Sequence, residues 1–256
     1  MKVNLKPFCH FPSSAPFSSD SASTSQRKRR WILINEALQK SKKFCKNENS
    51  FAFGILRWTE ELQEAFGVLK RYNIVSVDIP EDTLTLLESY LKACAIFLRG
   101  PKGFGDKAKM IHFIAPFFIS ICSLFKGQAE LTIDKKMNGK EINTNGRFAF
   151  ILKCGSKRIS IVEAKKNKML KGETQALVGC EIASEMDDLA VVYAVLTDFA
   201  KWSFLKSCHD CVMIDTDNTL RFKQGVPERD LLKEITGKIY AIYGINCKEE
   251  DMKMKI

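Results

Sequence analysis

Residues 159–166 read ISIVEAKK. Ile159, Ile161 and Val162 are β-branched and apolar, which favours a buried strand. Glu163 and Lys165 follow, two residues apart. Side chains two apart in a strand point to the same face, so a carboxylate and an ammonium emerge together at its end. That pairing suits metal-assisted phosphodiester hydrolysis. The carboxylate offers oxygen to a hard cation such as Mg²⁺ or Mn²⁺, and the backbone carbonyl of Ala164 can point at the same ion. The metal activates water, while the lysine positions that water and offsets phosphate charge.

The flanks set this strand in a larger pattern. Cys154-Gly155-Ser156 makes a tight turn between RFAFILK (147–153) and KRISIVEA (157–164), so the two form a hairpin. AELTID (129–134) reads as a preceding strand. GETQALVGCEIASEMD (172–187) is a helix with apolar residues on one face and Gln175 at its start. LAVVYAVLTD (189–198) is a continuous apolar strand, the mark of a central position. Trp202 and Phe204 follow as buried anchors. HDCVMID (209–215) and NTLRFKQ (218–224) read as an edge hairpin, and ERDLLKEITGKIYAIYG (228–244) as a closing helix.

Before residue 127 the period is helical. WILINEALQKSKKF (31–44), SFAFGILRWTEELQEAFGVLKRY (50–72) and SVDIPEDTLTLLESYLKACAIFLRG (76–100) carry apolar residues at three- and four-residue spacing. A further helix spans 106–125 and contains Pro116; its apolar run of 15 residues is short for a membrane span of about 20. The expected organisation is a disordered basic tail (1–30), a helical N-terminal region (31–105) and an α/β core (106–256) with a C-terminal hairpin and helix.

An αβββαβ order with Glu-x-Lys on the third strand resembles the PD-(D/E)XK nuclease superfamily. The text GRFAFIL, IVEAKK, GETQALVGCE, VVYAVLTD and WSF is closer to nuclease-like domains of fungal and oomycete proteins, including Crinkler-type effectors. The resemblance covers about residues 107–204. It implies a restriction-endonuclease-like core with a mixed sheet, Glu163 as metal ligand, Lys165 as catalytic lysine and Gln175 in support. In such domains the strand before Glu-x-Lys carries an acid within G-x-x-D/E-F, where this chain has Gly146-Arg147-Phe148-Ala149-Phe150. Ala149 has no side-chain oxygen to offer a metal. The reading therefore favours a degenerate site. An active Mg²⁺-dependent DNA endonuclease and a non-catalytic effector or binding module are the alternatives. Asp134, Glu141, Glu130, Glu181 and Glu185 are the acids to weigh as substitutes. Gln175 and Glu181 are six residues apart, about 120° around a helix, so Glu181 does not share the Gln175 face.

The 256 residues are 45% hydrophobic, enough for a sizeable core. Net charge is +10, of which residues 1–50 supply +7, with ten Lys/Arg against three Asp/Glu. A second excess lies at 153–171, with seven Lys/Arg against Glu163 alone. Both suit a polyanion, DNA foremost; a solvated basic surface is the plainer reading. Arg27-Lys28-Arg29-Arg30 can serve as a nuclear address, a phosphate contact or part of a transit peptide. The expected location is intracellular, with the nucleus favoured and the cytoplasm or a secreted effector open. Nine irregularly spaced cysteines point to a reducing compartment. Cys208-His209-Asp210-Cys211 lacks the distant second pair that structural zinc uses, and reads as a turn with partly buried thiols. Gly103-Phe104-Gly105 is too short for a phosphate cradle, and His10 and His112 have no triad partners.

Overall fold

The computed structural model describes residues 20–42, 51–52, 58–98, 107–165 and 169–253. Among the described residues, six helices and ten strands follow in chain order: α1 (Asp20–Lys42), β1 (Phe51–Ala52), α2 (Glu60–Phe66), β2 (Lys70–Arg71), α3 (Glu81–Phe97), α4 (Lys107–Leu124), β3 (Ala129–Asn138), β4 (Thr144–Cys154), β5 (Lys157–Ala164), α5 (Met169–Asp187), β6 (Val192–Thr197), β7 (Lys201–Ser207), β8 (Val212–Thr219), β9 (Phe222–Lys223), β10 (Val226–Pro227) and α6 (Arg229–Lys253). Eight strands form one mixed sheet in the order β1-β4-β5-β6-β7-β8-β2, with β3 also paired to β4. The α/β class and the mixed sheet agree with the sequence expectation.

The hairpin forms around Gly155, whose φ of +57° suits a residue without a Cβ. Cys154 pairs with Lys157, and Phe150 with Val162. β5 and β6 run parallel, as a helical crossover through α5 requires. β6 is buried at every position and lies inside the sheet.

Helices cover both faces. One core gathers α3, α4 and α6 through Leu84, Leu87, Phe113, Phe117, Leu232 and Ile239, over Phe150, Val162 and Val195 of the sheet. The other gathers α1, α2 and α5 through Ile34, Leu38, Leu62, Phe66, Leu177 and Ile182, over Phe148, Ile161 and Ala194. The helices before residue 107 therefore pack on the same sheet as the rest of the chain.

Several expectations change. Residues 20–30 are not tail: α1 begins at Asp20, and Arg27 and Arg30 are buried with Ile34, Ala37 and Leu38 at helical spacing. Residues 1–19 lie outside the described residues. Among the described residues of 50–72 the helix covers Glu60–Phe66, with Thr59 accepting from Leu62 N at its start and Gly67 at φ +64° at its end. Trp202 and Phe204 are buried as expected, but they belong to a full strand, β7. The 209–224 hairpin is also rearranged: β8 pairs with β7, and β9 pairs with β10. Cys154 is disulfide-bonded to Cys247, with Cα atoms 5.5 Å apart, where free thiols were expected.

Candidate functional site

Glu163 and Lys165 leave the sheet where β5 ends. Glu163 pairs in register with Leu196, and Lys165 N donates to Thr197 O at 3.0 Å, so β6 holds the backbone of both. Val162 and Ala164 enter the α4 core. Alternation sends Glu163 and Lys165 to the α5 side. The two side chains form an ion pair at 2.9 Å, Glu163 at 3% exposure and Lys165 at 26%. A Cβ added to Gly172 of α5 would meet Lys165 Cγ at 2.9 Å and Leu196 Cδ1 at 2.5 Å. The missing side chain at 172 is thus what lets α5 close onto the lysine stem. Gln175, one turn further along α5, is buried at 2%.

Ala149 is buried in the opposite core, with Phe150 and Val162. Phe148 and Phe150 are two residues apart yet lie in different cores, so the alternation of β4 breaks at Ala149. The partner strand is irregular at the same level: Asp134 has φ +47° and no ladder partner between the Ile133–Phe150 and Lys135–Phe148 pairs. Extending the β4–β5 register by one step sets Ala149 beside Glu163 along the backbone, but its side chain joins the apolar layer.

The candidate substitute acids are engaged elsewhere. Asp134 pairs with Arg147 at 2.8 Å, and Glu130 with Lys153 at 3.1 Å. Glu185 accepts from the backbone N–H groups of Lys140 at 2.7 Å and Glu141 at 2.6 Å. Glu141 is exposed, and its carbonyl accepts from Asn35 Nδ2 at 2.8 Å. Among the described residues no group of three or more His, Cys, Asp or Glu is placed to hold a metal ion. One carboxylate already held by an ammonium, together with a strand carbonyl, does not fit the six-oxygen shell that Mg²⁺ demands.

Glu181 serves a different cluster. Arg30 Nη1 donates to its Oε1 at 2.8 Å, Trp31 Nε1 to its Oε2 at 2.9 Å, and Ser207 Oγ to its Oε1 at 2.5 Å. Arg27 Nε lies 3.3 Å from Oε2, close enough for an ion pair but without hydrogen-bond alignment. The remaining Arg27 donors reach Ser184 Oγ at 2.7 Å and the carbonyls of Leu189 at 2.6 Å and Ser207 at 3.2 Å. Burial pulls the Arg27 guanidinium below its ordinary pKa, Glu181 opposes this, and the nearby Arg30 charge adds to the lowering.

Two features escaped sequence reading. Glu173, next to Gly172, is a half-buried carboxylate with no ion-pair partner among the described residues, and burial pushes its pKa up. Helical spacing from Gln175 did not single it out. Elsewhere, Lys238 Nζ is buried and donates to Asp215 Oδ2 at 2.9 Å, Asn218 Oδ1 at 2.6 Å and Asn73 Oδ1 at 3.2 Å. Asn218 also lines a cleft of about 280 Å³ with Arg221, Leu231, Glu234 and Ile235. A lone lysine in the helical text ITGKIYAIY (235–243) carries no sequence signal for this. The basic run at 153–171 is partly neutralised, because Lys153, Arg158 and Lys165 pair with Glu130, Asp187 and Glu163.

No protein-family profile matches the chain. It is similar to Crinkler effector protein 5 of Phytophthora infestans, 29% identical over 224 residues, which is 84% of this chain and 62% of that protein. The chain thus spans less than two thirds of the length of this relative. No described helix is long and apolar enough to cross a membrane.

Proposed function

We propose that this chain is an effector-type, nuclease-like module whose phosphodiester-cleaving site is degenerate, and that it acts by binding rather than cutting. The observation that carries the reading is the Glu163–Lys165 ion pair at 2.9 Å, with Ala149 turned into the apolar core beside it. The ammonium neutralises the carboxylate that a metal would otherwise use, and no second carboxylate completes a ligand set among the described residues. The similarity to an effector protein of Phytophthora infestans supports the effector part. The net charge of +10, with Lys28, Arg29, Lys135, Lys136 and Lys140 exposed, supports a nucleic-acid partner, DNA foremost.

Glu173 favours the second reading, an active Mg²⁺-dependent DNA endonuclease, because it is a half-buried carboxylate next in sequence to Gly172, the residue of α5 that lies against the Lys165 stem. Purified protein incubated with plasmid and single-stranded DNA, with and without Mg²⁺ or Mn²⁺, separates the two. The expected result is salt-dependent DNA binding without cleavage. Metal-dependent cleavage that disappears in Glu163→Gln would establish the endonuclease instead.

A further inference from the structure

The turn Cys208-His209-Asp210-Cys211 joins β7 to β8, and it also seats α1. Ser207 pairs with Val212, and Cys208 N donates to Cys211 O at 2.9 Å, so His209 and Asp210 form a two-residue loop with the cysteines facing each other. Both are free thiols and both are half-buried. A hydrogen-bonded facing pair has Cα atoms about 5.5 Å apart, inside the disulfide range of about 4.4–6.8 Å.

The same turn carries acceptors for both buried arginines of α1. Cys208 O accepts from Arg30 Nη1 at 3.1 Å, Ser207 O accepts from Arg27 Nη2 at 3.2 Å, and His209 Nδ1 lies 3.5 Å from Arg27 Nη1. Hydrogen bonds from guanidinium groups weaken steeply once the acceptor is re-aimed.

We propose that Cys208 and Cys211 are a reversible dithiol–disulfide site whose oxidation loosens the docking of α1. A disulfide such as oxidised glutathione is the oxidant. The Cys208 thiolate attacks it, forming a mixed disulfide and releasing one glutathione thiolate. The Cys211 thiolate then displaces the second glutathione and closes the internal S–S bond. Two thiol protons are lost, and the oxidant is reduced to two glutathiones. Closure must draw the two Cβ atoms from a facing-pair spacing of about 5 Å to about 3.8 Å. That repuckers the loop and turns Cys208 O away from Arg30. The Cys154–Cys247 bond lies on the other face of the fold and takes no part.

The test uses the full chain, reduced or treated with oxidised glutathione. Cleavage after Lys206 and Arg221 places both cysteines in one peptide, so an internal bond shows as a loss of two hydrogens and resistance to alkylation. Hydrogen exchange of α1 is read in parallel. The expected result is the internal bond in the wild type with about tenfold faster α1 exchange, equivalent to about 1.4 kcal/mol. Cys211→Ser and Cys208→Ser should show no change in α1 exchange on oxidation. Mixed disulfides without the internal bond, or the bond with α1 exchange unaltered, overturn the proposal.

Discussion

Arg30 and Glu181, 151 positions apart, form an ion pair of 2.8 Å in which both side chains are buried. The pair fastens α1 to α5, and Trp31 and Ser207 complete the hydrogen bonds of the carboxylate. Breaking a buried pair leaves an uncompensated charge, so Glu181→Ala should cost about 3–5 kcal/mol in denaturant unfolding. Deleting residues 1–30 should lower the melting temperature for the same reason, since it removes both Arg27 and Arg30. A deletion that melts like the full chain would show that the clamp adds nothing to stability.

Ala149→Asp should destabilise the protein without creating a nuclease. The new carboxylate would enter the apolar layer of Phe150 and Val162, where an unpaired charge is unfavourable. Thermal melting with and without Mg²⁺, alongside a plasmid cleavage assay, checks this. Stabilisation by Mg²⁺ together with cleavage would mean that position 149 reaches Glu163 after all.

Glu173→Gln should raise the melting temperature at neutral pH. Burial raises the folded-state pKa of Glu173 above the ordinary value of 4.5, so its charged form is the disfavoured one. The stability of the wild type is full below the unfolded pKa and falls as pH rises through the folded one. The advantage of the variant should therefore vanish on acidification, which melting curves across pH would reveal.

His209 works in the opposite direction. Burial first, and then the charge of Arg27, hold its pKa below 6.5. Its contribution to stability is present above that value and is lost as pH falls through the folded pKa. Between about pH 7.5 and about pH 5.5 the wild type should lose more melting temperature than His209→Gln, with α1 exchanging faster in the wild type.

Gly179→Ala should be destabilising by about 1–3 kcal/mol, because the added Cβ would collide with the Phe148 ring and with Ile161. Phe148→Leu in the same chain should relieve part of the cost, a coupling that a double-mutant cycle would measure.

The motif strand, its hairpin turn, α5 and the central place of β6 were legible because each is a local pattern. Two-residue alternation, a glycine turn, one apolar helical face and a continuous apolar run need no distant partner to be recognised. β7 was missed because KWSFLKS mixes charges with its apolar positions, and only pairing to β6 and β8 makes it a strand. The Glu163–Lys165 pair followed from strand periodicity alone. The side taken by Ala149 did not, because alternation breaks where Asp134 adopts a positive φ on the neighbouring strand.

The sequence by itself determined the α/β class, the β4–β5 hairpin and the shared face of Glu163 and Lys165, since these rest on contacts between near neighbours in the chain. Only the tertiary structure decided that the basic run at 27–30 is half core. Arginine reads as solvated until a buried carboxylate is supplied, and that carboxylate, Glu181, comes from a helix some 150 residues away. Charge is a local property of the sequence, while burial depends on what folds against it.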